Sequence, residues 1–245
     1  MIARLPDREA LLAAGFSGLR VVGDVHGEAR PFAHAIAGAR EAGLFVIQLG
    51  DLTDHGADSP AALRLMCGLL DEGRGLFLLG NHDHKLRRAL LGHAVTMEAD
   101  GLARTLADID AALDADALRA RAIAEITQAP AWFRLGTQGF VHGAWHPAMA
   151  HEPPPENFGA RKMDGLMARA LFGELSGRQR ADGAPERLIG WVDRLPQGFR
   201  VWCGHDRRST DGRPYTHAGR GGGSAVFLDT GAGKGGPLAW VDVPL

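Results

Sequence analysis

Five apolar runs in this chain of 245 residues break off into side chains that can bind a metal. They read LRVVGDVHG (residues 19–27), LFVIQLGDLTDHG (44–56), GLFLLGNHD (75–83), GFVHGAWH (139–146) and FRVWCGHD (199–206). Asp24 and His26 follow the first run, Asp51 and Asp54 the second, and Asn81 and His82 the third. His142 lies in the fourth and His205 ends the fifth. One Asp or His at a strand end is an ordinary turn residue. The same residue types at five strand ends form a pattern, because open α/β sheets bind ligands beyond the carboxyl ends of their strands.

Helix-like segments separate the first three runs. Residues 29–43 close on Gly43, and a second helix has Ser59 as its N-cap, Pro60 in the first turn and Gly73 at its end. Such alternation predicts a largely parallel, buried sheet with right-handed crossovers. Residues 84–131 turn Ala-rich, with Leu102, Leu106, Ile109, Leu113, Leu118, Ile123 and Ile126 at roughly helical spacing. They read as a helical insertion over the ligand-bearing end of the sheet. Further helices are expected near residues 162–175 and 185–195, further strands over 224–231 and 237–243, and a flexible turn at HAGRGGGS. No repeat and no long linker appears, so one domain over residues 1–245 is expected.

Composition narrows the function. Hydrophobic residues make up 45% and charged ones 23%, enough to bury a core. A net charge of -2 does not fit a protein that grips duplex nucleic acid electrostatically. Cys67 and Cys203 each lie inside an apolar segment and read as reduced thiols. The N-terminal stretch MIARLPDREALLAAGF lacks the apolar core of a signal peptide, and no run is long enough to span a bilayer. A soluble cytoplasmic protein without membrane partners is expected.

Mixed oxygen and imidazole donors suit Mn²⁺, Zn²⁺ or Fe, whereas an all-oxygen set points to Mg²⁺ or Ca²⁺. Two carboxylates, three histidines and an Asn amide exceed the needs of one tetrahedral ion. They match two ions sharing a carboxylate. GAGKGG (residues 231–236) does not read as a phosphate loop. It lacks the Gly five residues before the Gly–Lys pair and has Gly235 where Ser or Thr would meet Mg²⁺.

The motifs GDVHG, GDLTDHG, GNHD, VHG and GHD, in that order, resemble those of the calcineurin-like metallophosphoesterases. The nearer resemblance is to their phosphoprotein-phosphatase branch and its bacterial members, which include Ser/Thr phosphatases, symmetrical diadenosine tetraphosphatases and RNA-repair phosphatase domains. It implies a four-layer α/β/β/α sandwich of two mixed sheets flanked by helices. It also implies two divalent ions, Mn²⁺ first, with Fe, Zn²⁺ or Ni²⁺ as alternatives. Asp24 and His26 would bind the first ion, Asp51 would bridge, and Asn81, His142 and His205 would complete the second. His82 would be the general acid, oriented by Asp54. A metal-bridging hydroxide would attack phosphorus directly. The implied substrate is a phosphomonoester, on protein Ser/Thr or a small molecule. A nucleotide phosphoanhydride or phosphodiester is the alternative, and an inactive binding protein a weaker one.

The chain departs from the family at His55, where an Arg usually clamps the phosphate. A His lacks the planar fork and the permanent charge. Arg207 and Arg161, with Arg169, are the replacements the sequence offers, and Asp229 in FLDTG is a further residue expected near the site.

Overall fold

The computed structural model describes residues 5–181 and 183–245, so the first four residues of the N-terminal stretch lie outside it. Helix α1 (Arg8–Ala13) leads into β1 (Gly18–Val22), α2 (Ala29–Glu41), β2 (Leu44–Gln48), α3 (Ser59–Asp71), β3 (Gly75–Phe77) and α4 (Asn81–Leu90). Helices α5 (Arg104–Asp110) and α6 (Ala115–Gln128) follow, then β4 (Trp132–Leu135), β5 (Gln138–Val141), α7 (Gly165–Phe172), β6 (Glu174–Gln179) and β7 (Pro185–Leu188). Strands β8 (Arg200–Cys203), β9 (Tyr215–Ala218), β10 (Ser224–Phe227) and β11 (Trp240–Pro244) complete the chain.

Two mixed sheets result. The first has the order β11-β1-β2-β3, with β1, β2 and β3 parallel and β11 antiparallel at the edge. The second has the order β4-β5-β8-β10-β9, where β5, β8 and β10 are parallel and both edges antiparallel. Period-2 alternation explains how they stack. Leu19, Val21, Phe45, Ile47 and Leu76 share one cluster with Phe133, Phe140, Trp202 and Val226, which is the layer between the sheets. The intervening residues Val22, Val46, Val141, Val201, Cys203 and Phe227 join the helices in the other cluster. Arg20, on an outward position of β1, is buried all the same. Its guanidinium makes two 2.7 Å bonds to Asp242 of β11 and donates to Ala35 O of α2. The expected sandwich with helices outside is the architecture found.

The parallel strands β1, β2 and β3 end at one edge, as do β5, β8 and β10. The motif-bearing turns therefore lie together. Helices α5 and α6 of the expected insertion pack on α3, and α4 packs on α6.

Several local expectations need correction. Residues 185–195 are not a helix: Pro185–Leu188 is a strand paired with β6, and Gly190–Arg194 is a 3-10 turn. This two-stranded ribbon is mostly exposed and polar, so it carries no apolar period to separate strand from helix. Part of HAGRGGGS is ordered, since His217 and Ala218 pair with Ala225 and Ser224. Asp58, not Ser59, caps α3 by accepting from Ala61 N at 2.9 Å. Asn81 and His82 begin α4 rather than ending β3, which stops at Phe77.

Candidate functional site

The turns beyond the strands hold an unusual backbone. Among the described residues six non-glycines have positive φ, and five of them are His26, Asp51, Asp54, His55 and His205. Each such conformation costs about 1–3 kcal/mol and persists where its surroundings over-determine it. The surroundings here are explicit. Val25 N and His26 N both donate to Asp51 O, which ties the first turn to the second. His205 N donates to both oxygens of Asp24 at 3.1 Å. A Cβ on Gly204 would stand 2.1 Å from Asp24 Oδ1, so only glycine lets that strand end approach the carboxylate.

Acceptors converge inside this frame. His26 Nδ1 lies 2.9 Å from Thr53 O, so that nitrogen donates and Nε2 is left with a lone pair. Its Nε2 faces Asp24 Oδ2 at 4.0 Å and Asp51 Oδ2 at 3.9 Å. His142 repeats the arrangement. Its Nδ1 is committed to Leu49 O at 2.9 Å, while Nε2 faces Asn81 Oδ1 at 3.1 Å and Asp51 Oδ2 at 3.3 Å. His205 Nε2 is buried without any hydrogen-bond partner among the described residues. Lone pairs turned on lone pairs, with an orphaned imidazole nitrogen beside them, are what a cation binding site requires. Ligand atoms of Asp24, His26 and Asp51 lie within 4.8 Å of one another, as do those of Asp51, His142 and His205. Asp51 belongs to both groups. The residues present therefore fit divalent metal.

Electrostatics agree. Burial pushes the Asp24 carboxyl well up, helped by Asp229. Burial acts the same way on Asp51, but His142, His82 and His26 outweigh it and hold that carboxyl well below the usual range. Burial lowers His26 to about 3 and His205 well below its ordinary value, so both imidazoles stay neutral. His142 is driven the other way, to about 10, because Asp51 and Asp24 overcome its burial.

A second unit stands beside this cluster. His82 is at the start of α4, where its N–H donates to Asp51 Oδ1 at 2.9 Å. Its Nδ1 lies 2.6 Å from Asp54 Oδ2. Burial opposes charge on His82, yet Asp51 and Asp54 together raise its pKa. Asp54 is itself held twice over: Thr105 Oγ1 of α5 donates to Oδ1 at 2.8 Å, and Asp54 N donates to Ser59 Oγ at 3.1 Å. Its other oxygen thus remains on His82, and Nε2 of His82 stays free to face a substrate.

The remaining expected residues divide. His55 joins His26 and His82 in a third group of ligand atoms within 4.8 Å. Asp229 is nearly buried, accepts from Gly231 N at 2.9 Å and acts electrostatically on Asp24. Arg207 is exposed beside Gly231, where a Cβ would stand 2.5 Å from its guanidinium carbon. Arg161 is exposed at the end of the turn Phe158–Ala160, and no hydrogen bond or ion pair joins it to the cluster among the described residues. Arg169 pairs with Glu174.

Sequence reasoning missed Thr105 and Asp83. Thr105 sits in an Ala-rich helix with nothing to mark it. Asp83 was visible as the last residue of GNHD. It is fully buried and accepts from Asp51 N at 2.6 Å, Leu52 N at 3.0 Å and Gly80 N at 3.0 Å. It thereby fixes the turn that carries Asp51 to the start of α4. Asp83→Ala would leave three buried N–H groups unpaired, at a cost on the order of 3 kcal/mol or more. Urea unfolding checks this, and an unchanged midpoint would contradict it.

The comparisons with known proteins follow this geometry. The calcineurin-like phosphoesterase family matches over residues 19–220, most of the chain. The bis(5'-nucleosyl)-tetraphosphatase PrpE (asymmetrical) of Geobacillus thermodenitrificans is 28% identical over 198 residues, covering 80% of this chain and 74% of that protein. A crystal structure provisionally described as a diadenosine tetraphosphatase superposes with a TM-score of 0.57 at 19% identity, covering 93% of each chain. A protein serine/threonine phosphatase of Saccharomyces cerevisiae gives 0.58 at 15% identity, covering 89% of this chain and 69% of that one. These two share the fold. The chain is a calcineurin-like phosphoesterase, a hydrolase acting on phosphate esters.

Proposed function

We propose that the protein is a metal-dependent phosphatase that cleaves phosphomonoesters, with the whole chain acting as one catalytic domain and residues 84–131 as its insertion. One observation carries this reading: two groups of buried acceptors share Asp51, and an imidazole paired with a carboxylate stands beside them. Asp24, His26 and Asp51 would hold one ion, and Asp51, Asn81, His142 and His205 the other. Mn²⁺ suits this mixed set first, and Fe, Zn²⁺ and Ni²⁺ are compatible with it. When bound, such ions lower the pKa of water and stabilise the charge that builds on a phosphoryl group.

The chain's own residues do the rest. Asp54 holds Nδ1 of His82 and favours the imidazolium, so Nε2 donates a proton to the departing alkoxide oxygen. Thr105 stops the Asp54 carboxylate from turning away, and Ser59 holds its backbone N–H. No helix among the described residues is long and apolar enough to cross a membrane, in keeping with a cytoplasmic enzyme.

A second reading is cleavage of a nucleotide phosphoanhydride. The PrpE relative favours it, although that protein is named for asymmetrical cleavage whereas the motifs resemble symmetrical enzymes. Rates of the Mn²⁺-loaded protein on p-nitrophenyl phosphate, bis-p-nitrophenyl phosphate and a bis(5'-nucleosyl) tetraphosphate separate the readings. Highest kcat/KM on the monoester is expected, and clear preference for either other substrate overturns the monoester reading.

A further inference from the structure

A glycine loop packs against the turns that carry the site. Its sequence is Gly231-Ala232-Gly233-Lys234-Gly235-Gly236, and its three odd-numbered glycines have φ of 87, 70 and 85. The loop is pinned at its base: Lys234 N and Gly236 N both donate to Gly231 O, and Gly231 N donates to Asp229 Oδ1. Gly233 lies flat on the metal-ligand turns. A Cβ there would stand 2.8 Å from His26 Cβ and O and 3.0 Å from Gly56 N. The next residue, Lys234, is exposed and carries the only long side chain of the loop.

We propose that the Lys234 ammonium binds the phosphoryl dianion of the substrate beside the metal ligands, and so selects phosphate monoesters over diesters. This inference rests on the phosphatase reading and names the residue that supplies its substrate preference.

Three observations support it. Gly233 packs on His26 and Gly56, so the adjoining Lys234 stands at the rim of the turns that carry His26 and His55, and its charge acts on both and on His82 and Asp229. The other cations nearby are committed. Arg104 donates to the carbonyls of His55 and Gly56, Arg169 pairs with Glu174, Arg208 with Asp206, and Lys85 with Glu98. No hydrogen bond or ion pair engages the Lys234 side chain among the described residues, and the Arg207 guanidinium packs against Gly231 at the base of the loop. Finally, His55 cannot supply the charge of the arginine whose place it takes. An imidazole lacks the planar fork and the permanent charge of a guanidinium. A monoester dianion carries twice the charge of a diester monoanion, so the attraction to one ammonium is about twice as large for the monoester.

The test compares wild type with Lys234→Ala and Lys234→Arg, all loaded with Mn²⁺. Binding of inorganic phosphate is measured by titration calorimetry, and kcat/KM on p-nitrophenyl phosphate and bis-p-nitrophenyl phosphate. Loss of one charge-assisted contact should weaken phosphate binding by about 10- to 100-fold in Lys234→Ala. Monoester kcat/KM should fall by a similar factor, mostly through KM, with a smaller change on the diester. Lys234→Arg should recover most of the loss, and metal content should not change. If Lys234→Ala binds phosphate like wild type and keeps the monoester-to-diester ratio, the inference is overturned while the phosphatase reading stands. If wild type hydrolyses neither substrate, that reading fails and takes the inference with it.

Discussion

Asp51→Asn should lower phosphatase turnover by about 10²–10³-fold or more, a loss at least as large as that of one oxyanion-stabilising donor. Asp51 is the one residue whose oxygens serve both ligand groups. It also accepts from His82 N, and its backbone carries the N–H bonded to Asp83 and the carbonyl that receives Val25 and His26. The amide is nearly isosteric, so the backbone bonds survive and folding is retained. What changes is charge. Without Asp51 as a carboxylate, the counter-charge that holds the site is cut by half, and an NH₂ or a weaker amide oxygen faces His142 Nε2. Metal content should fall together with activity. Activity near wild type would show that Asp51 is not shared between ions.

His82→Ala should act on the chemistry alone. A positioned general acid contributes typically 10²–10⁴-fold, and the loss is greatest where the leaving group most needs a proton. Alkyl phosphates should therefore lose turnover by about that factor, and p-nitrophenyl phosphate, whose leaving group is stable as an anion, by much less. Metal content should remain at the wild-type level, because neither of the two ligand groups that share Asp51 includes the His82 imidazole. Asp54→Asn should follow the same pattern with a smaller effect, since Asp54 positions His82 without meeting substrate. Equal losses on both leaving groups would contradict the acid assignment.

The strand-end motifs were legible because Asp24, Asp51, His142 and His205 each follow an apolar, β-branched run that admits only a buried strand. The parallel strands and their crossover helices were legible for the same reason, whereas the division into two sheets came from the family resemblance. Other features had no local signal. The β6–β7 ribbon exposes both faces, so its residues alternate without a core to explain them. Thr105 reaches Asp54 across 51 positions of sequence, from a helix whose composition says only that it is helical. Ser59 looked like a helix cap, and Asp58, the stronger acceptor, took that role and left its hydroxyl to Asp54. GAGKGG lacks the phosphate-loop pattern, and its flatness against His26 depends on a contact with a turn some 200 residues earlier.

Metal content per chain, measured by inductively coupled plasma mass spectrometry after loading with Mn²⁺ and desalting, tests the central claim most directly. The account predicts about two ions per wild-type chain, as expected of a site that shares one carboxylate. His205→Ala, which removes the imidazole whose Nε2 has no hydrogen-bond partner among the described residues, should hold about one. A wild-type chain that retains no ion, or a His205→Ala chain that retains as many as wild type, would contradict it.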